Sequence, residues 1–195
     1  IHDDRTMLRF ERLFVVWQAI KNVSHLKLPA VEVGSFRGGS SYFIANAFKA
    51  CGASGIPIHV IDTFEGHCAS EIADSVDVYH KPGMFAQTSF EDVKKYLSGF
   101  KNVTVHKNSF ADAAPRLPQT LYSFAHIDVD IYLPTKQCLD YFIPRLAGGG
   151  VIVVDDYGAD KCPGVKKAVD EIAAKHPDLY TWHMQTEQIV LVKKG

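Results

Sequence analysis

Apolar residues recur along the chain in two rhythms. Over residues 3 to about 25, Met7, Phe10, Leu13, Phe14, Trp17 and Ile20 fall three or four apart, the spacing that places side chains on one face of a helix. Beyond that point short strand-like runs alternate with helical ones. Residues 30–33 read as a first strand, followed by a helix over about 40–50; residues 57–61 make a second strand that ends at Asp62. A helix is predicted over 89–97, with Ser89 as its N-cap before Asp92. Residues 103–106 and 124–127 are the third and fourth strands, the latter closing on Asp128. A helix over about 134–146 runs into Gly148-Gly149-Gly150. Residues 151–154 form a continuous apolar strand, the pattern of a strand covered by helices on both faces. A last helix over 164–175 stops before Pro177. The short strands 180–184 and 188–192 are separated by so few residues that they predict an antiparallel hairpin. Only residues 63–87 keep neither rhythm, and an unpatterned stretch of that length inside a domain predicts a functional loop or lid.

Alternating β and α elements predict a three-layer α/β fold, a mainly parallel seven-stranded sheet with right-handed crossovers and a C-terminal antiparallel hairpin. The 195 residues suit a single domain spanning 1–195. A net charge of -1 argues against a broad nucleic-acid surface. No apolar run approaches a membrane span and no signal-peptide pattern opens the sequence, so a cytoplasmic setting is expected. Cys51, Cys68, Cys138 and Cys162 form no C-x-x-C pair, which fits free thiols better than a zinc site or a disulfide framework.

The first candidate for chemistry is the run Val31-Glu32-Val33-Gly34-Ser35-Phe36-Arg37-Gly38-Gly39-Ser40-Ser41, a strand, a glycine turn and a helix N-terminus. A dinucleotide loop needs glycine where this chain has Phe36, and a Walker loop needs lysine where it has Ser40. Glu32, two residues before the turn, would repel a phosphate and suits a cationic ligand. A tight turn that binds nothing is the plainer alternative. The arrangement E-x-G-x-x-x-G-x-S resembles the first motif of class I S-adenosylmethionine (SAM) methyltransferases, whose loop wraps a sulfonium amino acid.

Acids close the later strands. Asp62 stands where a carboxylate meets ribose hydroxyls in open α/β sheets. Asp128 and Asp130 follow the fourth strand, Asp155 and Asp156 the fifth. If those strands are neighbours, Asp128, Asp155 and Asp156 converge, and crowded carboxylates call for a cation. Oxygen ligands favour a hard divalent ion such as magnesium, able to hold a substrate hydroxyl and ease its deprotonation. The plainer alternative is that Asp155 or Asp156 caps the next helix.

Taken together, Thr6-Met7, the E-x-G-x-x-x-G-G-S loop, Ile61-Asp62-Thr63-Phe64-Glu65-Gly66, Asp128-x-Asp130-x-Tyr132-x-x-Thr135 and Gly149-Gly150 before Asp155-Asp156-Tyr157-Gly158 resemble the macrocin O-methyltransferase family over nearly the whole chain. The resemblance implies SAM- and magnesium-dependent methylation of a hydroxyl on a sugar or other natural product. It implies a donor site built from Glu32, Gly34, Ser35, Phe36, Gly38, Gly39, Ser40, Asp62, Thr63 and Asp128, with Ser109 and Phe110 flanking the adenine; Phe110 serves the core equally well. It further implies a metal on Asp128, Asp155 and Asp156, with Asp128 or Asp130 as base. The match is poorest over 67–88, the region expected to face the acceptor. His67 and His80 in that loop read as surface or acceptor contacts rather than catalysts, and His126, two residues from Asp128, as a partner of the acids. Arg37, inside the loop, reads as a solvated arginine, with pairing to a carboxylate or to the donor's amino-acid end as the alternative. The expected partner is a small hydroxyl acceptor, and a homo-oligomer could complete a pocket that so short a chain leaves open. A phosphate-handling enzyme, with residues 151–156 as a Walker B strand, and a non-catalytic SAM- or metal-binding module are the rival readings.

Overall fold

The computed structural model describes residues 5–73 and 75–195. Its elements run α1 (Phe10–Val23), β1 (Ala30–Val33), α2 (Gly39–Ala50), β2 (Ile58–Asp62), α3 (Phe90–Tyr96), β3 (Val103–Lys107), α4 (Phe110–Ala113), β4 (Tyr122–Ile127), α5 (Tyr132–Phe142), β5 (Leu146–Val154), α6 (Pro163–Ala173), β6 (Leu179–His183) and β7 (Ile189–Lys193). The seven strands form one sheet in the order β3-β2-β1-β4-β5-β7-β6. The first five are mutually parallel, while β7 pairs antiparallel with both β5 and β6. This is the Rossmann-like α/β architecture of class I methyltransferases that the alternation and the terminal hairpin predict.

Strand alternation splits the core in two. Val31, Val33, Ile127, Ile152 and Val154 face α4, α5 and α6, whereas Ala30, Phe124, Val151 and Val153 face α1, α2 and α3. Because β1 sits between β2 and β4, chain connections leave it in opposite directions, and a crevice opens beyond its carboxyl end.

Three expectations are corrected in detail. Helix α1 starts at Phe10; the expected start at Asp3 lies outside the described residues, and residues 5–9 are not helical, with Gly39 N of the glycine loop donating to Arg5 O at 3.0 Å. The buried stripe of α1 is Leu13, Val16, Ile20 and Val23, while Met7, Phe10 and Phe14 are exposed. Both stripes are apolar, but only the first carries the slimmer side chains that pack closely against the sheet. Strand β5 begins at Leu146 and takes in all three glycines, with a register shift opposite Tyr122 to Phe124. Ser89 caps α3 through Asp92 N, as its position predicted.

On the α4–α6 face, His59 Nδ1 lies 3.1 Å from His106 Nε2, and His59 Nε2 is buried without a partner among the described residues. Burial, then the neighbouring His106, pushes His59 down to about 4, and burial also lowers His106. An unfolded histidine titrates near 6.5, so between roughly pH 6.5 and 4 the unfolded chain binds more protons than the folded one. Stability present above about pH 6.5 should therefore erode as pH falls toward 4. Urea midpoints at pH 7.5 and 5 test this: the lower midpoint is expected at pH 5, and His59→Val should narrow the gap. An unchanged gap would remove the pair from the account.

Candidate active site

The crevice beyond β1 is a cavity of about 330 Å³. Its floor is the glycine loop, tied to the sheet by Gly34 N to Ile61 O and Asp128 N to Val33 O, each 2.9 Å. Gly34 has φ +90, and a Cβ there would lie 1.8 Å from the Asp128 carbonyl oxygen, so only glycine lets the two strand ends close together. Ser35 Oγ is buried with no hydrogen-bond partner among the described residues, a polar atom left for a ligand. Phe36, at φ +50, donates its N–H to Asp62 Oδ2 at 2.8 Å, and Phe64 N donates to Oδ1 at 2.7 Å. Asp62 thus shapes the loop and still offers each oxygen's remaining lone pair to the cavity. Burial raises its pKa, although these N–H groups work against the rise. Ser40, Thr63, Ser109, Phe110, Asp128, Asp130 and Asp156 also line the cavity. Phe110 belongs to the core, as one of its two readings had it, and also lines the cavity.

Gly38, Gly39, Glu32 and Asp155 do not line it. Gly38, at φ +78, is the N-cap of α2, and Gly39 makes room for the crossing segment, since a Cβ there would lie 2.6 Å from the Arg5 carbonyl carbon. Glu32 points the other way from the expected cationic ligand. Its carboxylate is fully buried, accepts from Ser41 Oγ of α2 and lies 3.0 Å from His126 Nδ1. The reason is pleat parity. Glu32 shares the α1–α2 face with Ala30, and the register sets it directly beside His126. His126 Nε2 in turn lies 2.5 Å from Asp155 Oδ2. Burial alone disfavours a charged ring, but hydrogen bonds to Asp155 and Glu32 outweigh it and hold His126 well above the usual histidine range. The partner of this glutamate is a histidine inside the protein rather than a bound ligand.

The expected set Asp128, Asp155 and Asp156 is divided between two neighbouring groups of ligand atoms. Ligand atoms of His126, Asp128 and Asp155 lie within 4.8 Å of one another, and so do those of Asp130, Asp156 and Cys162. Asp155 continues the parity of Val153 and turns inward, where Gln188 Nε2 also reaches it at 3.2 Å. Asp156, at φ +60, turns out to the cavity, as does Asp130 at φ +62. Such left-handed residues store strain, and they cluster here at the acids. Arg12 of α1 bridges the pair, 3.2 Å from Asp155 Oδ1 and 2.7 Å from Asp156 Oδ1, and also reaches Glu187 at 2.6 Å. Asp128 lines the cavity beside these acids. Burial, then Asp155, Asp130 and Asp156, pushes it well above the usual carboxylate range, and burial followed by Asp156 raises Asp130 to about 8.

From the irregular stretch, Gly66, His67, Glu71 and Phe85 line the far wall. It is anchored more firmly than a free lid. Asp77 is buried, accepts from Ala73 N at 2.9 Å and from Tyr132 N at 3.1 Å, and so caps α5. His67 and His80, expected as surface or acceptor contacts, are mostly enclosed and hydrogen-bonded to each other, and His67 lines the cavity. Thr6 to Arg9 complete the rim. Sequence reading missed Arg12, Asp77 and the inward role of Glu32. Only the Glu32–His126 pairing left a trace, two polar residues amid apolar strands, and it becomes readable once β1 and β4 are known neighbours.

The model of the family described as "Macrocin-O-methyltransferase (TylF)" matches residues 3–179. The chain is 28% identical over 167 residues, 80% of its length and 64% of the relative's, to an 8-demethyl-8-(2,3-dimethoxy-alpha-L-rhamnosyl)-tetracenomycin-C 4'-O-methyltransferase of Streptomyces olivaceus. It is 27% identical over 180 residues, 87% of its length and 68% of the relative's, to a demethyldecarbamoylnovobiocin O-methyltransferase of Streptomyces niveus. It therefore spans about two thirds of the length of these curated relatives. The solved O-methyltransferase NovP superposes with a TM-score of 0.85 at 23% identity, over 99% of this chain and 84% of that one, which speaks for the fold. With the glycine floor, the strand-end acids and the antiparallel hairpin in place, the chain belongs to the macrocin O-methyltransferase family.

Proposed function

We propose that this chain transfers a methyl group from SAM to a hydroxyl of a small molecule, a sugar or other natural product, with help from a divalent ion such as magnesium. The observation that carries the reading is the cavity itself, with the Gly34–Phe36 floor and unpartnered Ser35 Oγ on one side and Asp128, Asp130 and Asp156 on the other. The relatives' names supply the acceptor class.

SAM carries a methyl group on a sulfonium, which a hydroxyl oxygen attacks in line. The chain's part is to bind and align. Asp62 faces the ribose hydroxyls, Ser35 and Ser40 offer hydroxyl groups to the donor's polar end, and Ser109 and Phe110 flank the adenine. Closure of the floor by Gly34 sets donor and acids at fixed separation, and such alignment is the main lever in a two-substrate displacement. A divalent ion would lower the acceptor hydroxyl's pKa. Asp128 and Asp156 fit as its holders, and Asp155 would join through Oδ1, the oxygen now shared with Arg12. All are hard oxygen donors.

Titration calorimetry with SAM, with ATP and NAD as controls, tests the donor half: SAM should bind and the controls should not. Binding of ATP in place of SAM would overturn it. For the metal half, release of S-adenosylhomocysteine with a sugar acceptor should fall at least about tenfold in chelator, recover with magnesium, and stay low in Asp156→Asn. Turnover that survives both treatments would remove the metal and leave the methyl transfer standing. Asp155→Ala is the poorer probe, because it also leaves His126 with one carboxylate fewer.

A further inference from the structure

The histidines of the irregular loop have hydrogen bonds that leave one tautomer open. His80 Nε2 lies 3.1 Å from the Lys161 carbonyl oxygen, which only accepts, so Nε2 carries a proton. In the neutral ring Nδ1 is then an acceptor, and its neighbour at 3.1 Å, His67 Nε2, must donate. That places the His67 proton on Nε2 and a lone pair on Nδ1. His67 Nδ1 has no hydrogen-bond partner among the described residues, and His67 lines the cavity. The ring is held in place: His67 N donates to Met84 O at 3.0 Å, Gly83 N donates to His67 O at 2.9 Å, and Phe85 packs edge-on at 5.3 Å. Gly66, at φ +75, has no room for a Cβ, which would lie 2.2 Å from Met84 O.

We propose that His67 Nδ1 accepts the proton of the acceptor hydroxyl, with His80 and the Lys161 carbonyl fixing the tautomer that makes this possible. The proposal rests on the O-methyltransferase reading above. In the step, the hydroxyl oxygen bonds to the methyl carbon as the carbon–sulfur bond breaks. The electron pair of that bond goes to sulfur, giving the neutral thioether of S-adenosylhomocysteine, and the hydroxyl proton goes to His67 Nδ1. The imidazolium so formed has Asp130 Oδ2 at 3.8 Å from Nε2, and burial beside His80, which pushes His67 down to about 4, makes it release the proton readily to solvent. His80 touches no substrate atom in this scheme and is a positioning residue.

Nitrogen-15 NMR of histidine-labelled protein at pH 7.5 tests the tautomer without any acceptor. His67 should appear protonated at Nε2 and unprotonated at Nδ1. His80→Leu should mix its tautomers, and His80→Asn, which returns an acceptor oxygen near the lost Nδ1, should restore them. A His67 protonated at Nδ1 in the wild-type chain overturns the proposal. In turnover with methyl α-L-rhamnopyranoside as probe, His67→Gln should lower kcat by about 10²–10⁴ with SAM affinity unchanged, the range typical of a lost general base. Wild-type kcat in His67→Gln overturns the proposal as well. A chain with the expected tautomer that fails to bind SAM would instead sink the methyltransferase reading, and the proton role with it.

Discussion

Replacing His126 by leucine is expected to cost about 3–5 kcal/mol of stability, the usual penalty for removing one partner of a buried ion pair. The ring lies between Glu32 and Asp155, and all three side chains are fully buried. Leucine fills the space but carries no charge, so two carboxylates would share a closed interior. Arg12 would still reach Asp155, whereas Glu32 would keep only the Ser41 hydroxyl. For a chain of this size the loss is a fall in Tm on the order of 10 °C. Urea denaturation of His126→Leu, Glu32→Gln and the double variant checks the cause. The double variant should recover part of the single loss, because Gln removes the charge that leucine strands. A cost under about 1 kcal/mol would mean that the ring is not the cation of this core.

Gly34→Ala should remove donor binding and cost roughly 3 kcal/mol or more. Two penalties combine there. The backbone at φ +90 is one that side chains avoid, and the added Cβ would sit 1.8 Å from the Asp128 carbonyl oxygen. Neither contact partner is a flexible side chain, so relief requires moving the end of β1 away from β4, which reshapes the cavity floor. Gly55→Ala is the control: a Cβ there meets nothing within 4 Å, and its effect should stay within about 0.5 kcal/mol. Calorimetric SAM titration and circular dichroism of both variants read the two effects separately. A Gly34→Ala chain that binds SAM normally would show that the floor can open without consequence.

Much of this was legible from local pattern. The β–α alternation, the hairpin after Pro177 and the cap at Ser89 depend on near neighbours along the chain, and each appears in the fold. The glycine loop and the strand-end acids were recognisable as a site because their positions at strand ends follow from the same alternation. Which way each acid points was not. Glu32 and Asp155 turn inward and Asp156 outward, according to pleat parity and the left-handed turn at 156, and the partners that receive them come from α1, α2 and β4.

By itself, then, the sequence determined the layers, the strand ends and the glycines, since these obey short-range periodicity and backbone sterics. Tertiary structure alone decided the charge arrangement. Strand order brought His126 between two acids about thirty and ninety positions away, α1 delivered Arg12 to the fifth strand, and the loop at 63–87 folded back to press His67 and His80 together. Buried charges are settled by what desolvation makes them find in space, and no spacing along a chain records that search.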